Sequence, residues 1–203
     1  GFCAVKTELC VNWKLSIGIR RRRCPKKSAV SEDGKLGHGN ENGHSTPKRV
    51  DTLALLGIQV QNVACGSRHT AIVTSLSQVY SWGDRENGVA GHGEVEGHQH
   101  QYIPKLIESL STVCVVQISA CGFHTGCLSK DGKVYTWGEG KFGRLGGGNE
   151  RHCHSPRIVE SLIGKSIKQI ACGGFHSAVI TEDGKLATFG TCYCVWCCHC
   201  SHD

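Results

Sequence analysis

The sequence states one motif three times, and this constrains its fold more than any other feature. Ala64-Cys65-Gly66-Ser67-Arg68-His69-Thr70-Ala71, Ala120-Cys121-Gly122-Phe123-His124-Thr125-Gly126 and Ala171-Cys172-Gly173-Gly174-Phe175-His176-Ser177-Ala178 are versions of it. His69 to Trp82, His124 to Trp137 and His176 to Phe189 are each 13 residues apart, and Trp82 to Gly91 and Trp137 to Gly146 are each 9. Gly37, Gly91 and Gly146 open related Gly-rich strings, each followed by a proline (Pro47, Pro104, Pro156), and the histidines recur after 55 and 52 residues. A period of this size marks stacked supersecondary units, because one unit cannot bury its apolar face alone.

Within a unit the local patterns are β. Gln61-Asn62-Val63-Ala64 and Gln169-Ile170-Ala171 lead into the Gly-containing turn, and His69–Val73 and His176–Ile180 read as short buried strands. Asp131-Gly132 and Asp183-Gly184 predict two-residue hairpin turns, which need φ > 0. Lys133-Val134-Tyr135-Thr136-Trp137 alternates polar and apolar side chains, as a half-buried strand does. Helix periodicity is nearly absent. Four short strands per unit with Gly-rich corners predict a propeller blade.

Charge separates the chain into parts. Of its 23 Lys/Arg and 17 Asp/Glu, residues 1–30 hold eight and one, a balance of +7, so residues 31–203 carry −1. Nucleic-acid binding through a generally basic body is thereby excluded. No run of about 18 apolar residues exists, so no transmembrane helix is expected, and no secretory signal core lies within residues 1–30. Five of the 14 cysteines fall in the last twelve residues, unlike the even framework of a disulfide-stapled secreted domain. Zero methionines and a start at Gly1 lead to the expectation of a fragment, a processed chain or an imperfect gene model.

Together, Trp82-Gly83-Asp84, Trp137-Gly138-Glu139-Gly140, Gly143-Arg144-Leu145-Gly146, the Pro-Lys/Arg-x-Val/Ile segments at Pro47, Pro104 and Pro156, and the Gly-x-His turns carry a family resemblance. The run from Glu32 to Gly190 resembles tandem repeats of the regulator-of-chromosome-condensation type. A WD-type blade would be shorter and end in Trp-Asp. The resemblance implies an all-β fold, a partial β-propeller of about three units. Two units are complete and two partial: no Trp-Gly precedes Ser31, and after Gly190 the expected Gly-x-Leu-Gly is replaced by Thr191-Cys192-Tyr193-Cys194. Residues 1–30 are then a basic leader, expected to be disordered, 31–190 the propeller repeats, and 191–203 a Cys-rich tail.

Aligning the chain with itself sorts structural from functional candidates. A residue present in every unit is needed by every blade. His69, His124 and His176 are therefore expected to be buried and hydrogen-bonded between strands, and Trp82, Trp137 and Phe189 to be core. Cys121 stands where Gly66 and Gly173 do, so it strains its turn if that position needs φ > 0.

Four features occur once. The run Arg20, Arg21, Arg22, Arg23, Lys26, Lys27 has the composition of a nuclear-localisation or nucleic-acid-binding segment, with a solvated tail as the plainer reading. The loop His92–His100 places Glu94/Glu96 and His98/His100 on common faces if extended, a pattern that can hold a transition metal; a polar surface loop is favoured. Cys192, Cys194, Cys197, Cys198, His199, Cys200 and His202 include the two-residue gap of a zinc knuckle without a second pair held apart by structure. His152-Cys153-His154 is a weaker ligand set still. The expectation is no bound metal or other cofactor.

Enzyme signatures do not occur: no Gly-x-Ser-x-Gly elbow, Gly-x4-Gly-Lys-Ser/Thr loop or His-Glu-x2-His helix. The reading is a non-enzymatic protein-interaction scaffold, cytoplasmic or nuclear, with no membrane association. DNA or chromatin would be contacted only through the leader. The resemblance implies two alternatives: a guanine-nucleotide exchange factor for a Ran-like small GTPase, or the propeller portion of a HECT-type ubiquitin ligase, its partner then a ubiquitin-system protein.

Overall fold

Each unit closes on itself through neighbouring hairpins, which is why its alternating segments form strands. The computed structural model describes residues 33–94 and 100–191. After a short helix α1 (Asp51–Leu55), the first sheet is β1 (Val60–Cys65), β2 (His69–Thr74), β3 (Val79–Gly83) and β4 (Gln101–Leu106). The second is β5 (Val115–Cys121), β6 (His124–Ser129), β7 (Val134–Gly138) and β8 (Cys153–Ile158). The third is β9 (Ile167–Cys172), β10 (His176–Thr181) and β11 (Leu186–Gly190). All pairings are antiparallel and every sheet runs in chain order. This is the all-β stack of propeller-type blades that the repeat predicts.

The hairpins differ from expectation in one respect. Ser129 N donates to Lys133 O at 2.9 Å and Gly132 N to Ser129 O at 3.0 Å, with Gly132 at φ +79°. Thr181, Gly184 and Lys185 repeat this pattern. These are three-residue loops, a tight turn followed by a left-handed glycine, not two-residue turns. In the first blade Ser77 takes the left-handed position at φ +62°.

The blades twist through recurrent bulges. In β1, β5 and β9 the register slips beside Gln61, Val116 and Lys168, the same place in each unit; an extra residue there increases local twist. Pro104 and Pro156 lie within further register breaks, between β3 and β4 and between β7 and β8. An outer edge strand tolerates a residue that has no N–H to donate.

Stacking the blades makes the core. Ala71, Val73 and Val79 of the first blade pack with Val115, Ile118, Cys127 and Trp137 of the second, and the crossover residues Ile107 and Leu110 join the same cluster. Leu128, Val134, Val159, Leu162, Ile167, Ile170 and Val179 repeat the arrangement between the second and third. A third cluster, Leu53, Ile72 and Trp82, lies on the opposite face of the first blade. Each fully buried aliphatic side chain contributes about 1.5–3 kcal/mol.

Candidate functional site

The recurrent residues join one blade to the next. His69 Nε2 lies 2.6 Å from Thr125 Oγ1, and His124 Nε2 lies 2.8 Å from Ser177 Oγ. Both bonds run between strands, as the sequence suggested, and those strands belong to neighbouring blades. The reason is geometric: each histidine opens the second strand of its blade, facing the hydroxyl residue that stands second in β6 or β10 of the next. His176 lacks such a neighbour among the described residues and is exposed. Burial draws the His69 ring down to about 4 and the His124 ring to about 3, so both are neutral at pH 7.

Aromatic residues and glycines make a second set of links. Trp82 Nε1 donates to Lys35 O at 2.9 Å, and Trp137 Nε1 to Val89 O at 3.1 Å. Gly37, Gly91 and Gly146 lie at φ +74°, +75° and +74° against Trp82, Trp137 and Phe189. A Cβ at any of the three would sit within 2.7–2.9 Å of the ring. Both conformation and space demand glycine there.

Cys121 does occupy the slot of Gly66 and Gly173, since all three stand three residues before the recurrent histidine. Neither glycine is left-handed; a Cβ on either would collide with the imidazole of His69 or His176. The expected strain at Cys121 is therefore absent. In the second blade the strand runs one residue further, and Gly122 after it takes the left-handed conformation at φ +57°.

The β1–β2-type turns and the Gly-rich loops emerge at one end of the blades, and the one-off side chains collect there. In the first blade Arg68 reaches Asp33 at 2.8 Å, Asp84 at 3.0 Å and Glu86 at 2.9 Å. Burial raises the Asp33 carboxyl, but hydrogen bonds and charge from Arg68 and Lys35 outweigh it and hold Asp33 below the usual range. In the second, Arg144 is 1 % exposed, paired with Glu139 at 3.0 Å and bonded to Gly174 O at 3.2 Å. Its guanidinium lies 5.7 Å from the Phe142 ring centre and 5.0 Å from that of Phe175, and the two rings meet edge-to-face at 5.8 Å, so cation and rings form a three-membered cluster. Phe142 is 37 % exposed and sits at φ +63°, a costly conformation for a bulky side chain.

The sequence candidates are dispersed. Arg20, Arg21, Arg22, Arg23, Lys26, Lys27, the Cys192–His202 cluster and residues 95–99 of the long loop lie outside the described residues. His92 turns inward, Nε2 at 3.0 Å from Ser81 Oγ, while His100 Nδ1 points to Asp84 at 3.4 Å. His152 Nδ1 accepts the Gly140 N–H at 3.2 Å, and Gly93 N donates to His154 O at 2.8 Å. Among the described residues no three His, Cys, Asp or Glu side chains gather as metal ligands, and no helix is long and apolar enough to cross a membrane. Sequence reasoning missed Asp33, Arg68, Phe142 and Arg144 as site residues. The slot before the recurrent histidine, Arg68 against Phe123 and Phe175, carried a usable signal.

Comparison with known proteins agrees with this geometry. The regulator of chromosome condensation (RCC1) repeat model matches residues 30–73, 77–128 and 131–180. The E3 ubiquitin-protein ligase HERC2 of Homo sapiens is 39% identical over 163 residues, covering 79% of this chain but 3% of that protein. The ultraviolet-B receptor UVR8 of Arabidopsis thaliana is 34% identical over 157 residues, 77% of this chain and 34% of the receptor. The chain thus spans 34% of the receptor's length and 3% of the ligase's. Among solved structures, human WBSCR16 superposes with a TM-score of 0.64 at 24% identity, over 79% of this chain and 40% of that one. Prp20p from Saccharomyces cerevisiae, described with its binding to Gsp1p and histones, gives 0.61 at 21%, over 79% and 39%. The chain belongs to the regulator of chromosome condensation (RCC1) repeat family.

Proposed function

We propose that this chain is a protein-interaction scaffold without catalytic activity of its own, and that it binds through the loop-rich end of its blades. One observation carries the reading. The recurrent histidines and tryptophans are spent joining blade to blade, whereas charged and aromatic groups that differ between blades, Arg68 with its three carboxylates and the Phe142–Arg144 pair packed on Phe175, collect at a single end. Variable loops on a rigid scaffold are the usual seat of recognition. The basic run Arg20–Lys27 adds a route to DNA or chromatin, and the location that fits both is cytoplasmic or nuclear.

A second reading has its own support: 39% identity to HERC2 over 79% of the chain favours the propeller portion of a HECT-type ubiquitin ligase, with catalysis in another domain. Exchange activity toward a Ran-like GTPase has less support, because at 21% identity the likeness to Prp20p is one of fold. An exchange factor must favour the nucleotide-free GTPase by several kcal/mol, with loops from several blades acting together. Fluorescent-GDP release from a Ran-type GTPase, with this chain in excess, separates the readings. The scaffold reading expects the rate of the GTPase alone; clearly faster release overturns it.

A further inference from the structure

We propose that Cys121 and Cys172 are a redox modification site, a pair of thiols that closes into a disulfide clasp between the second and third blades. The inference rests on the stacking of β5 against β9 and not on the function proposed above. On β5, Gln117 Oε1 accepts from Ile170 N at 3.0 Å and Ser119 Oγ accepts from Cys172 N at 2.9 Å, so the odd-numbered side chains of this strand face the third blade. The two-residue period of a strand puts Cys121 next on that face. Opposite it, Cys172 shares the face of Ile170, which packs toward the second blade.

The Cys172 sulfur already lies over β5. It donates to Ser119 O at 3.3 Å, and a Cβ on Gly126, the register partner of Ser119, would come within 3.3 Å of it. Ser119 to Cys121 is about 7 Å along a strand. The sulfur sits at the Ser119 carbonyl, past its Cα in the direction of Cys121. Further along, a Cβ on Gly122 would lie 2.9 Å from Gly174 O, so the two chains stay in close contact beyond both cysteines. Burial pushes the Cys172 thiol up to about 12, and the nearby Cys121 sulfur adds to this. Cys127 does not compete, since it faces the first blade with Ile118 and Trp137.

The oxidant is a small disulfide such as oxidised glutathione. Cys121, half-buried at the end of its strand, attacks it as thiolate. A mixed disulfide forms and one glutathione leaves as thiolate. Cys172 gives up its proton, attacks the Cys121 sulfur and expels the second glutathione. Two protein thiols are oxidised and one glutathione disulfide is reduced, the two protons ending on the two glutathiones. The link encloses the 51-residue span from 121 to 172, so it stabilises chiefly by constraining the unfolded chain.

The test equilibrates the 203-residue chain across a ladder of reduced and oxidised glutathione, alkylates what stays reduced, and maps the monomer band after non-reducing trypsin digestion. The expected product joins Leu106–Lys130 to Gln169–Lys185 through Cys121 and Cys172. It should accompany a rise in melting midpoint of about 5 °C or more that dithiothreitol reverses. Cys121→Gly, the residue of the other two blades, and Cys172→Ala, as at Ala120 in the second, should each abolish link and shift. Alkylation of both cysteines across the whole ladder overturns the proposal, as does a Cys172 link to any other cysteine.

Discussion

The Nε2 of His124 lies 2.8 Å from Ser177 Oγ in the next blade, and that hydroxyl lies 2.9 Å from the carbonyl of Arg144. A carbonyl can only accept, so Ser177 donates to Arg144 O and His124 must donate through Nε2. The ring is then the neutral Nε2–H tautomer. A second proton would sit on Nδ1, which is buried and has no partner in either His124 or His69.

Stability should therefore fall in mild acid. Both rings titrate lower in the folded chain, at about 4 and about 3, than the 6.5 of an exposed histidine. The unfolded chain binds protons first as pH drops. The stabilisation is complete above pH 6.5 and lost as pH falls toward 4, by on the order of 3 kcal/mol for each ring. Urea melts from pH 7.5 to 4.5 should show this slope, and His124→Gln should roughly halve it. A flat profile would contradict the tautomer assignment.

Phe189→Trp should stabilise the third blade. Trp82 and Trp137 donate to the carbonyls of Lys35 and Val89, and the corresponding acceptor for position 189 is Arg144 O. Lys35 O accepts from Trp82 and from Thr70 Oγ1 together, so Arg144 O can take a second donor beside Ser177. A gain of about 1 kcal/mol is expected, read as a higher melting midpoint; a fall would mean the slot does not admit an indole.

The purified 203-residue chain should self-associate under reducing conditions. Val63 on β1 is 51% exposed and Leu186 on β11 is 67% exposed, on the outermost sheets of the described stack. Open terminal faces of a stacked array invite further stacking. Light scattering should report oligomers or aggregates, and a monodisperse, cooperatively melting monomer would contradict this.

Much of the architecture was legible because the chain is its own alignment. The 13-residue step from the histidine predicts an aromatic residue in every blade, and Trp82, Trp137 and Phe189 supply it. The direction of their bonds was hidden: period-2 strands show which face a residue takes, not that His69 would bond Thr125 in another sheet. The hydroxyl was nonetheless written beside each histidine, as Thr70, Thr125 and Ser177. The Asp-Gly pairs suggested two-residue hairpins because the type of turn depends on the pairing of Ser129 with Lys133, outside the dipeptide. Arg144 could not be recognised as buried, since its burial depends on Phe175, more than 30 residues away.

The central claim, that the loop-rich end recognises a protein, is tested most directly by affinity capture with quantitative mass spectrometry on two paired variants. Phe142→Asn with Phe175→Ala removes both rings beside Arg144; Asn87, in the Phe142 slot of the first blade, already sits at φ +54°. Asp131→Lys with Lys133→Glu reverses an exposed ion pair at the opposite, hairpin end. Proteins enriched by the unaltered chain should lose at least tenfold of their recovery with the first pair and keep it with the second, a loss equal to about 1.4 kcal/mol of binding. Undiminished recovery with the first pair, or loss confined to the second, would contradict the claim.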